Sequence, residues 1–93
     1  MAHLENPVEF TAAGQRYDLS CRILAIIWEG STTAGDTVEL RLQNPSRRFW
    51  RGRANDTNTY LGLNLGPYGL HAPHGFTLSQ ISAGTVWVYL SEA

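Results

Sequence analysis

Hydrophobic residues in this chain recur with a period of two, and no stretch of ten or more residues carries a 3.6-residue stripe. That excludes a bundle of amphipathic helices and calls for strands. In Thr37–Gln43, Val38, Leu40 and Leu42 fall on one face and Glu39, Arg41 and Gln43 on the other, as in a half-buried antiparallel strand. Leu61, Leu63 and Leu65 repeat the pattern behind Tyr60. Two segments are apolar on both faces. In Thr85–Leu90, Val86, Val88 and Leu90 oppose Trp87 and Tyr89; in Cys21–Trp28, Cys21 alternates with Ile23, Ala25 and Ile27. Such strands lie centrally, or set one face in the core and the other against a partner.

Turn chemistry fills the gaps, at Glu29–Asp36, Gln43–Ser46, Asn55–Asn58, Gly66–Gly69 and Ser82–Gly84. Turn signals every ~8–12 residues between short strands describe an all-β sandwich or barrel. The expected strands are 7–11, 15–19, 21–29, 36–43, 47–54, 59–65, 75–80 and 84–91. They predict a single-domain antiparallel β-sandwich over residues 1–93, with about seven or eight short strands and essentially no helix. Jelly-roll and immunoglobulin-like connectivity both remain open.

A chain of 93 residues builds a small core, and its one cysteine, Cys21, excludes an internal disulfide or a paired-thiolate zinc site. Assembly with other chains is the common remaining source of stability. Charged residues make up 16%, against ~25% in ordinary soluble domains. The net charge of −1 implies no global attraction to nucleic acid or an anionic membrane. All seven basic residues are arginine, the basic residue that interfaces favour. The first seven residues show no basic region leading into an apolar run, and the longest apolar run, Ile23–Trp28, has six residues. The expectation is synthesis in a cytosol-type compartment, which a free cysteine fits.

Catalysis finds no constellation. Glu5, Glu9, Asp18, Glu29, Asp36, Glu39, Asp56 and Glu92 are scattered, and none of the serines sits in a Gly-x-Ser-x-Gly elbow. Asp36, beside Gly35, reads as a turn aspartate bonded to its own backbone. His71 and His74 flank a proline in a Gly/Pro-rich loop, without the further ligands that a structural zinc needs. Cys21 reads as a small buried hydrophobe. The expectation is therefore no enzyme, no metal and no cofactor.

Arg47-Arg-Phe-Trp-Arg-Gly-Arg53 holds four of the seven arginines, interleaved with two aromatics. On a regular strand Arg47, Phe49, Arg51 and Arg53 share one face, and Arg48, Trp50, Gly52 and Ala54 the other. Such a segment can stack and pair with single-stranded nucleic acid, stack on sugar rings, form the centre of a protein interface, or guard a solvated sheet edge. Low overall charge and the absence of lysine favour the protein interface. If Val86, Val88 and Leu90 face the core, Trp87 and Tyr89 form an exposed apolar patch, as contact sites do. The expected contact residues are Arg47, Arg48, Phe49, Trp50, Arg51, Arg53, Trp87 and Tyr89.

The segments Trp28-Glu-Gly-Ser-Thr-Thr-Ala-Gly-Asp-Thr-Val38, Phe49-Trp-Arg-Gly-Arg-Ala54, Thr57-Asn-Thr-Tyr-Leu-Gly62, Gly66-Pro-Tyr-Gly-Leu70, Gly75-Phe-Thr-Leu-Ser79 and Gly84-Thr-Val-Trp-Val-Tyr-Leu90 resemble, taken together, the short all-β proteins encoded beside head genes in tailed bacteriophages. The resemblance is to capsid decoration, or cement, proteins in particular. It implies a non-enzymatic virion component on the outer capsid surface, made in the host cytoplasm and present in many copies. Its partners would be the major capsid protein or other virion proteins. It would be a homo-oligomer, with a trimer preferred, and would bind neither nucleic acid nor membrane. A second class of function is a carbohydrate- or host-surface-binding module of a head fibre or tail, using Trp50, Tyr68 and the 66–75 loop. A third is an arginine-mediated nucleic-acid binder.

Overall fold

The computed structural model describes residues 7–31, 33–55 and 61–91. Among them nine strands form, and no residue is helical. They are β1 (Val8–Phe10), β2 (Arg16–Tyr17), β3 (Cys21–Glu29), β4 (Thr37–Leu42), β5 (Arg47–Arg53), β6 (Leu61–Asn64), β7 (Leu70–Ala72), β8 (Phe76–Ile81) and β9 (Thr85–Ser91). Eight correspond to expected strands. β7 is the addition, a three-residue strand inside the Gly/Pro-rich 66–75 segment. Tyr60 and the Asp56–Asn58 part of the third turn lie outside the described residues, as do Glu5 and Glu92.

All pairings are antiparallel. One sheet runs β1-β9-β3-β6, with β7 also on β3; the other runs β2-β8-β4-β5. Pairing is nested: β1 with β9, β2 with β8, β3 with β6 and β7, β4 with β5. The chain is thus one long two-stranded ribbon, bent back at the Gln43–Ser46 turn and rolled until β9 meets β3 and β8 meets β4. That is jelly-roll connectivity, which decides between the two expected topologies.

The core lies between the sheets. From the first come Val8, Phe10, Cys21, Ile23, Ile26, Trp28, Ala72, Val86, Val88 and Leu90; from the second, Tyr17, Val38, Leu40, Phe76 and Leu78. Phe10 meets Phe76 across the layers edge to face, with ring centroids 5.5 Å apart. Trp28 is fully buried, and its Nε1 donates to the Ala83 carbonyl at 2.9 Å. Beneath the indole lies Gly52, where a Cβ would come within 3.0 Å of Val38 Cγ1 and 3.4 Å of Trp28 Cε3. A Cβ here would press on both side chains, so glycine eases the close approach of β5.

Three single-residue bulges alter the regular alternation. On β3 the register with β9 slips between Ile23 and Ala25, leaving Leu24 as the extra residue. The inward set is therefore Cys21, Ile23, Ile26 and Trp28, whereas Ala25 and Ile27, expected to share Cys21's face, lie on the other. On β5 Phe49 is extra, because Leu40 pairs with Trp50 and Arg41 with Arg48. On β8 Ser79 is extra, because Leu40 pairs with Leu78 and Glu39 with Gln80. The last two bulges flank the same short segment of β4, centred on Glu39 and Leu40.

Candidate interaction surfaces

The bulge at Phe49 redistributes the arginine segment. Trp50 stays opposite Leu40 and Gly52 opposite Val38, both on the core side, as expected. Arg48 is a correction: past the extra residue it pairs with Arg41 and stands on the solvent face, not with Trp50. Phe49 is a second correction. Instead of joining the arginines it packs, half-buried, against the core, as Trp50 does. Arg47 pairs with Leu42 and is exposed at the corner of the sheet.

Register then assembles a cationic face. Arg16, Thr77, Arg41 and Arg48 form one outward row across β2, β8, β4 and β5. Gln80, Glu39 and Arg51 form the next outward row, and Thr37 with Arg53 the last. Five of the seven arginines in the chain thus share the outer face of one sheet. Arg16 and Arg41 lie far from the motif in sequence and join it only through strand order.

Glu39 is the carboxylate at the centre of this face, with its side chain 16% exposed. Ser79 Oγ donates to its Oε2 at 2.7 Å, Arg41 Nη1 stands 3.2 Å from the same oxygen, and Arg48 Nη1 lies 3.6 Å from Oε1. The Ser79 hydroxyl foremost, and then the two guanidiniums, hold the Glu39 carboxyl below its ordinary range. The bulge that makes Ser79 extra is what brings its hydroxyl to this carboxylate. Arg16 pairs at the margin with Asp18, 3.4 Å away. Among the described residues Arg51 and Arg53 make no ion pair.

The outer face of the other sheet has the opposite character. One row carries Glu9, Trp87, Ile27 and Gly62; the next carries Tyr89, Ala25 and Asn64; Glu29 and Thr85 close one end. Tyr89 is 37% exposed and Trp87 half-buried, which matches the outward placement expected for both. Trp87 Nε1 donates to Glu29 Oε1 at 3.1 Å. Pro7, Ile27, Glu29, Trp87 and Tyr89 line a shallow concavity of about 300 Å³. Glu9, Glu29 and Ile27 had no signal in the sequence, since only the order β1-β9-β3 brings them to Trp87.

The remaining candidates stay apart. His71 lies on β7 opposite Arg22, and His74 in the turn before β8, both exposed. No three of His, Cys, Asp and Glu among the described residues come together to hold a metal ion. Cys21 is fully buried opposite Ala72, and desolvation pushes its thiol up to about 11. Asp36 accepts from the Thr33 amide and hydroxyl, both at 3.0 Å, the turn role expected of it. Tyr68 is 80% exposed on the 66–69 turn, where its carbonyl faces Arg22. Trp50 belongs to the opposite sheet, so the two do not form one platform. No helix among the described residues is long and apolar enough to cross a membrane. The chain matches no known family model, no curated protein and no solved structure.

Proposed function

We propose that this chain is a non-enzymatic structural protein of a bacteriophage virion, a capsid decoration or cement protein that binds the outer head shell in many copies. The observation that carries the reading is the chemistry of the two outer sheet faces. One outer face gathers five arginines and the other carries Trp87 and Tyr89 beside Glu9 and Glu29. Small jelly rolls recur in viral shells and in lectins, an analogy of fold that favours no single function. On this reading the arginine face, with Arg48, Arg51 and Arg53 at its exposed edge strand, pairs with carboxylates and carbonyls of the shell. Many weak contacts add up to firm attachment.

The reading requires a capsid gene beside the gene for this chain, and the test uses heads assembled from the protein that such a gene encodes. Wild-type protein is expected to cosediment with them. Arg51→Ala and Arg53→Ala should each weaken binding by tenfold or more, since losing a charge-assisted contact in a desolvated interface costs about 2–5 kcal/mol. A wild-type chain that ignores these heads overturns the proposal. The second reading, a carbohydrate- or host-surface-binding module, draws on the concavity where Trp87 and Tyr89 stand beside the Glu29 carboxylate. A glycan array answers it, with Trp87→Ala expected to abolish any specific signal.

A further inference from the structure

The two outer faces complement each other. The arginine face presents Arg51 and Arg53, two residues apart on β5 and without ion pairs among the described residues. The aromatic face presents Trp87 and Tyr89, also two residues apart on one strand, with Glu9 directly opposite Trp87 and Glu29 one step along β3. Both pairs repeat at about 6.6 Å, the spacing of next-nearest residues on one face of a strand. A guanidinium seated on an indole or phenol ring, with a carboxylate at its edge, gains from the ring quadrupole and from the ion pair.

We propose that the aromatic face is the docking site for a second copy of this chain: Arg51 and Arg53 of one copy lie on Trp87 and Tyr89 of the next and pair with its Glu9 and Glu29. Contacts between like faces are disfavoured by charge. Two aromatic faces would bring four carboxylates together, and two arginine faces would oppose their guanidiniums. Arg22, also on the aromatic sheet's outer side, sits beyond Tyr89 in the row with Ser91 and His71.

The contact is heterologous, and its two halves lie on opposite sides of the sandwich. Such a contact repeats as an open row rather than closing as the trimer expected from the sequence. A patch four strands wide and about five residues long covers roughly 300 Å² per side, below what a stable pair needs. Free copies therefore associate weakly. Arg51 and Arg53 cannot hold the shell and a second copy at once, so the row forms among copies whose arginine face is free of the shell. Sedimentation without heads reads that contact alone, and cosedimentation of the wild type with heads reads attachment alone, so the two tests fail separately.

Sedimentation from micromolar to millimolar concentration in low salt reads the contact. The average mass of the wild type should rise with concentration and return to the monomer in molar salt. Two double variants each lose one face: Glu9→Arg with Glu29→Arg, and Arg51→Ala with Arg53→Ala. Each alone should associate at least tenfold more weakly. Mixed one to one they should form a pair that grows no further, because each supplies the face the other lacks. Melting curves confirm folding, with glutamine at the same positions as the milder replacement. A wild type that stays monomeric at millimolar concentration overturns the proposal. So does a double variant that still self-associates, since that marks a contact between like faces, and so does a mixture of folded variants that fails to pair.

Discussion

Replacing Trp28 by phenylalanine tests how the two sheets are held in register. The indole is fully buried, bonds the Ala83 carbonyl in the 82–84 turn that joins the two sheets, and meets Gly52 of the opposite sheet. Phenylalanine keeps an aromatic ring but loses the donor and the outer part of the indole. Removing a buried hydrogen-bond partner costs roughly 1–3 kcal/mol, toward the lower end here because the bond is only part-buried. The lost ring atoms, taken as about two methylene equivalents, add roughly 1.5 kcal/mol. The sum is about 2–4 kcal/mol. It should appear as a lower urea midpoint with an unchanged slope, followed by circular dichroism. A companion substitution, Gly52→Ala, places its Cβ 3.0 Å from Val38 Cγ1, 3.3 Å from Leu61 Cδ1 and 3.4 Å from Trp28 Cε3. Overpacking of that kind costs about 1–3 kcal/mol. Phenylalanine at 28 relieves only the last of these contacts, so the double variant should be less destabilised than the sum by about 0.5–1 kcal/mol. Strict additivity, or a Trp28→Phe shift below about 1 kcal/mol, refutes the packing described.

Two further outcomes are expected. Trp50→Ala should lower stability by about 2–3 kcal/mol, since the ring packs on the core but is half-exposed, whereas Arg51→Ala and Arg53→Ala should stay within about 0.5 kcal/mol. Equal melting temperatures for all three would overturn the face assignment across the Phe49 bulge. Glu39 gives a pH dependence of known sign. Its folded-state pKa lies below the ordinary 4.5, so its stabilisation is fully present above that value and is lost as pH falls through the folded pKa. The stability gap between wild type and Glu39→Gln, measured by urea unfolding at a series of pH values, should shrink over that acid window; a gap constant with pH contradicts the network drawn around Glu39.

Much of the fold was legible because alternation survives wherever polar and apolar residues take turns. β4 reads correctly from Val38, Glu39, Leu40 and Arg41 alone. On β9, Trp87 and Tyr89 are outward because three smaller apolar residues take the inward positions. The bulge on β3 left no such trace: every residue of Ile23–Trp28 is apolar, so a slip at Leu24 does not disturb the pattern. The bulge on β5 did leave one, in the adjacent pair Phe49-Trp50, where strict alternation would expose one aromatic and both instead reach the core. β7 escaped because three residues between turn glycines and a proline carry no periodicity. The candidate surfaces were legible only in part. Arg51, Arg53, Trp87 and Tyr89 announce themselves, but Arg16, Arg41, Glu9 and Glu29 join them through strand order, which a local pattern does not encode.

The nested pairing also bears on how such a chain finds its fold. Val8 and Val88 pair although they are 80 residues apart in sequence, and closing a loop of that length directly costs more entropy than closing a short one. Zipped from the inside, no loop of that length has to be closed. The Gln43–Ser46 turn brings β4 onto β5, β3 then lies within reach of β6 and β7, β2 within reach of β8, and β1 meets β9 last. Each closure spans only the turns left by the one before it. A topology dominated by distant contacts, of the kind that ordinarily folds slowly, can thereby be assembled through a succession of local ones, with the strands that carry Glu9 and Trp87 joined at the final step.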